Sequence, residues 1–315
     1  MSTTARFILF QCMIILPFLA GAVLKHRVPE AGSSSRKLIR LNLIFVEPCI
    51  ALWSIWGLDF GWDVVLLPVS GILIVLAGLA AGRLMMAAMP LDGRSSASFL
   101  ISSSLANHGF TMGAFLCYLF LGERGLGLAF LFLSYFMLFV FTVIFPYARS
   151  VSPDRGEPRG AMWSHLFDLQ NMPLFAVLLG LAFKAFGLTR PSIFFPIDAL
   201  LLLSIALYYF SMGMNFSISN ISEFLRENIS LSLIKFLVVP LLTAAALALL
   251  DIDRQIEAVI RLESFMPAAI YSVVASVLFD LDTKLTTNLF VVNTLVFIFL
   301  VLPLLFMFKG YILGL

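Results

Sequence analysis

Long uninterrupted apolar runs dominate this chain and leave it few ways to fold. Ten stretches, at roughly 7–24, 38–57, 64–89, 97–121, 125–148, 166–187, 192–214, 229–250, 256–279 and 285–308, read as membrane-crossing helices, because a crossing needs about 20 mostly apolar residues. Over 315 residues, 61% are hydrophobic and 12% are charged. A soluble domain is about 45–50% apolar and about 25% charged. A soluble globule of this size has too little interior to hide so much apolar surface, and a membrane barrel would show strict alternation instead of long runs. The class is an all-α polytopic membrane protein. The charge balance, 20 basic against 18 acidic residues for a net +2, excludes a nucleic-acid partner. Cys12, Cys49 and Cys117 all lie in apolar stretches with no metal-ligand spacing, so neither a disulfide framework, a metal nor a cofactor is expected.

At about 20 residues per crossing the connections are short, which leaves no room for a sizeable soluble domain. The longest polar connection, SVSPDRGEPRG at Ser150–Gly160, falls at mid-chain. It suggests three parts: a first five-helix repeat at 1–149, a cytosolic linker at 150–165 and a second five-helix repeat at 166–315. Five crossings followed by five more reverse direction between the halves, which is the arithmetic of an inverted repeat. The first crossing of each half supports it, with Pro17, Gly21 and Lys25 in one and Pro173, Gly180 and Lys184 in the other. Around the first crossing the stronger charge follows the apolar run, at Lys25, His26 and Arg27, the flank of a retained helix and not of a cleaved signal peptide. Connections after odd-numbered crossings carry twelve Lys and Arg, five of them in the first, against six elsewhere outside the spans. The positive-inside rule then puts both termini outside the cytoplasmic membrane.

The fourth crossing of each half is interrupted, 97–121 by SSSLANHGFTMG and 256–279 by RLESFMPAA. Matching interruptions in the two halves are the best sequence pointer to a transporter's binding site. A broken helix leaves backbone N–H and C=O groups that lipid cannot satisfy, so the break faces protein or a wet cavity. Half-helix N-termini carry partial positive charge and free donors, a setting for a carboxylate. In the first break Gly109 and Gly113 permit close backbone approach, and Ser104 and Asn107 offer hydrogen bonds without charge. The competing reading is a small-residue packing face; the intramembrane Asn107 tips the balance to a substrate site. In the second break Pro267 removes a helix bond, and Glu263, four residues earlier, is placed to hold a proton or a sodium ion near the freed carbonyls.

Other polar residues carry two readings each. Arg261 either neutralises an anionic substrate or pairs with Glu257 one turn earlier, the plainer choice. His108 is a candidate proton switch or a structural donor. Glu47, before Pro48, is a coupling candidate or hydrogen-bonds a neighbouring helix. Lys235, two turns into its span, reads as a snorkelling side chain. No Gly-x-Ser-Gly, His-Glu-x-x-His or paired-Asp motif is present, which argues against an intramembrane enzyme.

The second half carries Asn171-Met172-Pro173-Leu174 running on to Leu179-Gly180-Leu181, Ser211-Met212-Gly213-Met214, and Lys235 with Pro240. Further on come Met266-Pro267-Ala268-Ala269 with Ser272, and Pro303. In this order and spacing they resemble the auxin efflux carrier family of permeases. In the first half Pro48 and the Asn107/Gly109 pair match more loosely. The resemblance implies ten transmembrane helices in two inverted five-helix repeats, with broken fourth and ninth helices crossing at midplane. It also implies a scaffold bundle able to form a homodimer, and carriage of small organic anions. By position Asn107 and Pro267 inherit roles in shaping the site. Two departures stand out: Gly113-Ala114-Phe115 lacks the proline expected after the glycines, and Tyr271 replaces an Asn often found after the ninth-span proline.

The expected function is a secondary transporter that carries a small organic acid by alternating access. The substrate-binding candidates are Ser104, Asn107, Gly109, Gly113, Pro267 and Tyr271; the proton or sodium coupling candidates are Glu47, His108 and Glu263. The alternatives are a sodium-coupled relative of the bile acid:sodium symporters, which Glu263-Ser264 resembles in part, and a non-transporting membrane sensor.

Overall fold

A computed structural model describes residues 3–25, 27, 31–59, 61–87, 89–109, 111–152, 171–215 and 221–314; side chains are also left aside at 4–10, Thr3, 31–32, Asn215 and 221–222. The expected linker at 150–165 lies outside these residues beyond Ser152, as do His26 and His165. Among the described residues the regular structure is helical, apart from one isolated β-bridge. We number the helices α1 (Thr3–Leu24), α2 (Ser33–Trp56), α3 (Leu66–Met86), α4 (Gly93–Ser104), α5 (Gly113–Val151), α6 (Met172–Ala185), α7 (Ile197–Asn215), α8 (Leu225–Leu247), α9 (Arg254–Ser264), α10 (Ile270–Leu278) and α11 (Thr283–Met307).

Among the described residues six helices are long and apolar enough to cross a membrane, and Gln11–Leu24 and Met172–Ala185 are shorter apolar helices. The chain is a multi-pass membrane protein. The stretches 97–121 and 256–279 do not run as single crossings. An extended segment interrupts each: 97–121 divides between α4 and the first turns of α5, and 256–279 divides into the short helices α9 and α10. Where 97–121 meets 125–148, the chain bends at Gly122, whose φ of 71° is left-handed, a conformation glycine adopts without a Cβ penalty.

Among the described residues four helices contain a π turn two residues ahead of a proline: Asn42–Val46 before Pro48, Val140–Ile144 before Pro146, Ile234–Val238 before Pro240 and Phe297–Val301 before Pro303. Proline lacks an N–H, and its ring clashes with the carbonyl four residues earlier. Widening the preceding turn relieves that clash without ending the helix.

The chain packs as two compact units. The first comprises 1–59, 109–131 and 164–217, and the second 60–108, 132–163 and 218–315. In the first, α1 packs on α7, and α2 packs on both α6 and α7. The α1–α7 crossing is a backbone-to-backbone approach. A Cβ at Gly21 would collide with the Phe210 carbonyl, and one at Gly213 with the Phe18 carbonyl. Gly180 of α6 faces Ile55 of α2 less tightly; a Cβ there would meet Ile55 Cγ2 at 2.9 Å. One end of this unit carries an aromatic and ionic clamp. Trp53 stacks on Phe195 at 4.4 Å, and the Arg190 guanidinium sits over Trp53 at 4.7 Å while pairing with Glu123. Trp56 Nε1 donates to Leu188 O at 2.7 Å. Trp with cationic partners is the usual furnishing of a membrane–water boundary.

In the second unit, α3 packs on α4, α8 and α9, and α11 packs on α4, α8 and α10. Gly78 and Gly82 of α3 admit the backbone and side chain of Ser103. The start of α4 is capped by Asp92, whose Oδ1 accepts the Ser95 N–H at 2.7 Å. That bond holds the Asp92 carboxyl below the usual carboxylate range. A folded-state pKa below the unfolded one means the cap stabilises fully at neutral pH. Its contribution is lost as pH falls through the lowered value.

Gly213→Val forces a side chain into the Phe18 carbonyl, an overpacking worth about 1–3 kcal/mol. The thermal midpoint of the detergent-purified protein should fall by several degrees. Gly93→Ala, where a Cβ meets nothing within 4 Å, should leave it level, and equal midpoints for the two variants would contradict the close α1–α7 approach.

Candidate functional site

The candidate site lies inside the second unit, where the two interrupted segments meet. α4 ends at Ser104 because Leu105 turns to extended geometry, with φ −71° and ψ 134°. α9 ends at Ser264, and α10 begins after Ala269, extended at φ −78° and ψ 147°. The segments between run antiparallel and form a single bridge, Ala106 with Ala268. The Asn107 N–H donates to Pro267 O at 2.7 Å, and the Ala269 N–H donates to Leu105 O at 3.2 Å. Pro267 has no N–H to strand, and its carbonyl serves as acceptor. Two helices are thus opened without abandoning their backbone groups, the condition a break in an apolar setting must meet.

Neighbouring helices supply the remaining bonds. Asn293 of α11 accepts the Ala268 N–H on Oδ1 at 2.8 Å and donates from Nδ2 to Ser232 Oγ at 3.3 Å. Lys235 of α8 donates from Nζ to Ser104 O at 3.1 Å and to Leu105 O at 2.9 Å. Its exposure is 2%, so the snorkelling expected from its place near the end of a span does not occur. The reason is chemical: the last carbonyls of α4 and the negative end of its dipole offer the ammonium a partner within the protein.

His108 is fully buried, and its Nδ1 meets the Tyr135 hydroxyl at 2.8 Å. Its ring stands edge-on to Phe132 at 5.0 Å. Its Nε2 is buried and makes no hydrogen bond of ordinary geometry. Tyr135 fits because Gly71 of α3 has no side chain; a Cβ there would strike the Tyr135 ring. Glu263 has no exposure and lies within electrostatic reach of Tyr135, as Lys235 does of His108. One acid, one base and two titratable rings therefore surround a backbone crossing.

The structure distributes the expected residues unequally. Asn107, His108, Glu263 and Pro267 are buried together at the crossing. Ser104 is there too, but its hydroxyl is committed to Val75 O of α3 at 3.0 Å. Tyr271 sits in the first turn of α10, half-buried, with its ring against Phe136 at 5.4 Å. Gly109 and Gly113 belong to the first unit. The Gly109 carbonyl accepts the Met112 N–H at 3.0 Å and the Ala114 N–H at 3.2 Å, which starts α5. Glu47 also belongs to the first unit. It is 4% exposed beside Asn42 and hydrogen-bonds Tyr208. Asn42 donates to Ser204 Oγ at 2.9 Å. Arg261 takes the plainer of its two readings, donating from Nε to Glu257 at 2.8 Å. Lys235 as a cap, Asn293 and Tyr135 join the site without a motif in the sequence that marks them. The signal for Asn293 was an amide inside an apolar run, a polar group that is costly there unless it is used.

Among the described residues no group of three or more His, Cys, Asp and Glu is placed to hold a metal ion. A family model described as membrane transport protein matches residues 161–306, which includes α6 to α10, the second break and most of α11. None of the curated proteins matches the chain.

Asn293→Ala removes the acceptor of the Ala268 N–H and leaves that donor buried, a loss of about 1–3 kcal/mol. The expected result is a lower thermal midpoint. Asn293→Asp, which keeps an acceptor oxygen, should lose less, and a larger loss for Asp than for Ala would contradict the assigned bond.

Proposed function

We propose that this chain, whose residues 161–306 match a family model described as membrane transport protein and whose motifs resemble those of the auxin efflux carriers, is a secondary transporter carrying a small organic anion, a carboxylate, across the cytoplasmic membrane by alternating access. The observation that carries the reading is the pair of broken helices joined at Ala106 and Ala268. Discontinuous helices that meet inside a membrane protein are where transporters hold substrate and coupling ion. Asn107, Pro267 and Tyr271 are the substrate contacts, with Ser104, Gly109 and Gly113 shaping the break. Glu263 and His108 are the candidates for proton coupling at the crossing, and Glu47 is the candidate in the first unit.

The ten-helix inverted repeat, with both termini outside, belongs to the same proposal. Three pairings support it. The Gly21 contact of α1 with α7 has its counterpart in the Gly180 contact of α6 with α2. The π turn before Pro146 has its counterpart before Pro303. The break at 105–108 has its counterpart at 265–269.

The test is flux into proteoliposomes, with a panel of mono- and dicarboxylates offered at two external pH values. One acid should be transported by the unaltered protein. Asn107→Ala should reduce its uptake at least about tenfold, the effect of about 1.4 kcal/mol. Glu263→Gln should remove the pH dependence of uptake if that carboxyl carries the coupling proton. Folded protein that neither binds nor moves any acid of the panel would contradict the reading.

A further inference from the structure

The Lys235 ammonium occupies a position that chain chemistry prepares for a cation. α4 stops inside the protein, so the negative end of its dipole and its last carbonyls are turned inward. Two consecutive carbonyls, Ser104 O and Leu105 O, converge on Nζ at 3.1 and 2.9 Å. In transporters built on broken helices, freed carbonyls and half-helix C-termini are the groups that coordinate a coupling cation. Here the group that meets them is covalently part of α8. The side chain reaches them from the π turn Ile234–Val238 that Pro240 imposes, and it is 2% exposed.

We infer that Lys235 is a tethered cation, filling with its own ammonium the carbonyl site at the end of α4 that a free monovalent cation would otherwise take. The chain therefore needs no sodium at this break. The acquired property of a variant without the ammonium is a site for a small monovalent cation, sodium or ammonium itself, on the same two oxygens. The inference rests on the crossing being the working site of a transporter. Its test reads cation binding alone, so a protein that carries no acid still answers it.

The experiment is the thermal midpoint of the purified full chain in sodium chloride, ammonium chloride and choline chloride at matched ionic strength. Choline is too large for the site and serves as the reference. The unaltered protein should melt at the same temperature in all three. Lys235→Ala should melt lower in choline and recover in sodium or ammonium. The recovery is about 3 °C when the cation is tenfold above its dissociation constant. Lys235→Met, which keeps the apolar stem and removes only the charged head, should show the same salt pattern with a smaller loss in choline. Sodium stabilisation of the unaltered protein would overturn the inference. So would variants equally unstable in all three salts, or variants that fold in none of them, because a free cation would then not substitute for the ammonium. A protein that moves no acid yet gives the expected salt pattern would refute the transport reading and leave the role of Lys235 standing.

Discussion

A peptide group buried away from water has to find a partner within the protein, and the second unit is organised around that constraint. Interrupting α4 and α9 frees N–H and C=O groups in surroundings that offer no solvent. The structure meets the demand by pairing one interruption with the other. Asn107 gives its N–H to Pro267 O, and Ala269 gives its own to Leu105 O. A single antiparallel bridge thus joins two segments far apart in the chain.

Much of the surrounding sequence follows from holding that bridge in place. Gly78 and Gly82 let α3 approach the last turn of α4, and Gly71 makes room for Tyr135, which fixes the ring of His108. Asn293 takes the N–H of Ala268 that the short bridge leaves over. Lys235 answers the carbonyls at the end of α4. The π turn that carries Lys235 arises from Pro240, so a proline in one helix sets where a cation meets another. Polar groups are few in this chain, and those at the crossing are spent mainly on backbone, which suits a site whose own peptide groups form its framework.

Part of this was legible from the residues alone. SSSLANHG and RLESFMPAA are polar, small-residue or proline-bearing passages inside otherwise apolar runs, so periodicity and hydropathy located both breaks. The ion pair of Arg261 with Glu257 followed from their four-residue spacing on a helix. Lys235 departs from the snorkelling expectation for a definite reason. Distance from the end of a span measures how far a side chain would have to snorkel, and it carries no information on whether carbonyls await it inside. Glu47 and Glu263 looked alike as intramembrane acids near prolines, yet they fall in different units, because chain position near a proline does not specify the tertiary neighbour. Asn293 is not legible in the sequence because an amide satisfying one backbone N–H has no local motif. Ser104 shows the reverse case, a polar residue in the right passage whose hydroxyl is already used by Val75 O.

The claim on which the rest depends is that the two interruptions lie side by side, and paired-cysteine cross-linking measures it directly. Cys12, Cys49 and Cys117 are free thiols and can be replaced to give a clean background. Ala106→Cys combined with Ala268→Cys places two thiols on bridge partners, whose Cβ atoms lie about 5 Å apart in an antiparallel pair, within disulfide range after small adjustment. Mild oxidation should join them in most molecules, detected as a fragment linkage that survives proteolysis between the two positions and is released by reductant. Ala106→Cys combined with Ala275→Cys, nearly two helical turns further along α10, should give no such linkage. Absence of the 106–268 disulfide in folded protein, or equal yields from the two pairs, would contradict the crossing.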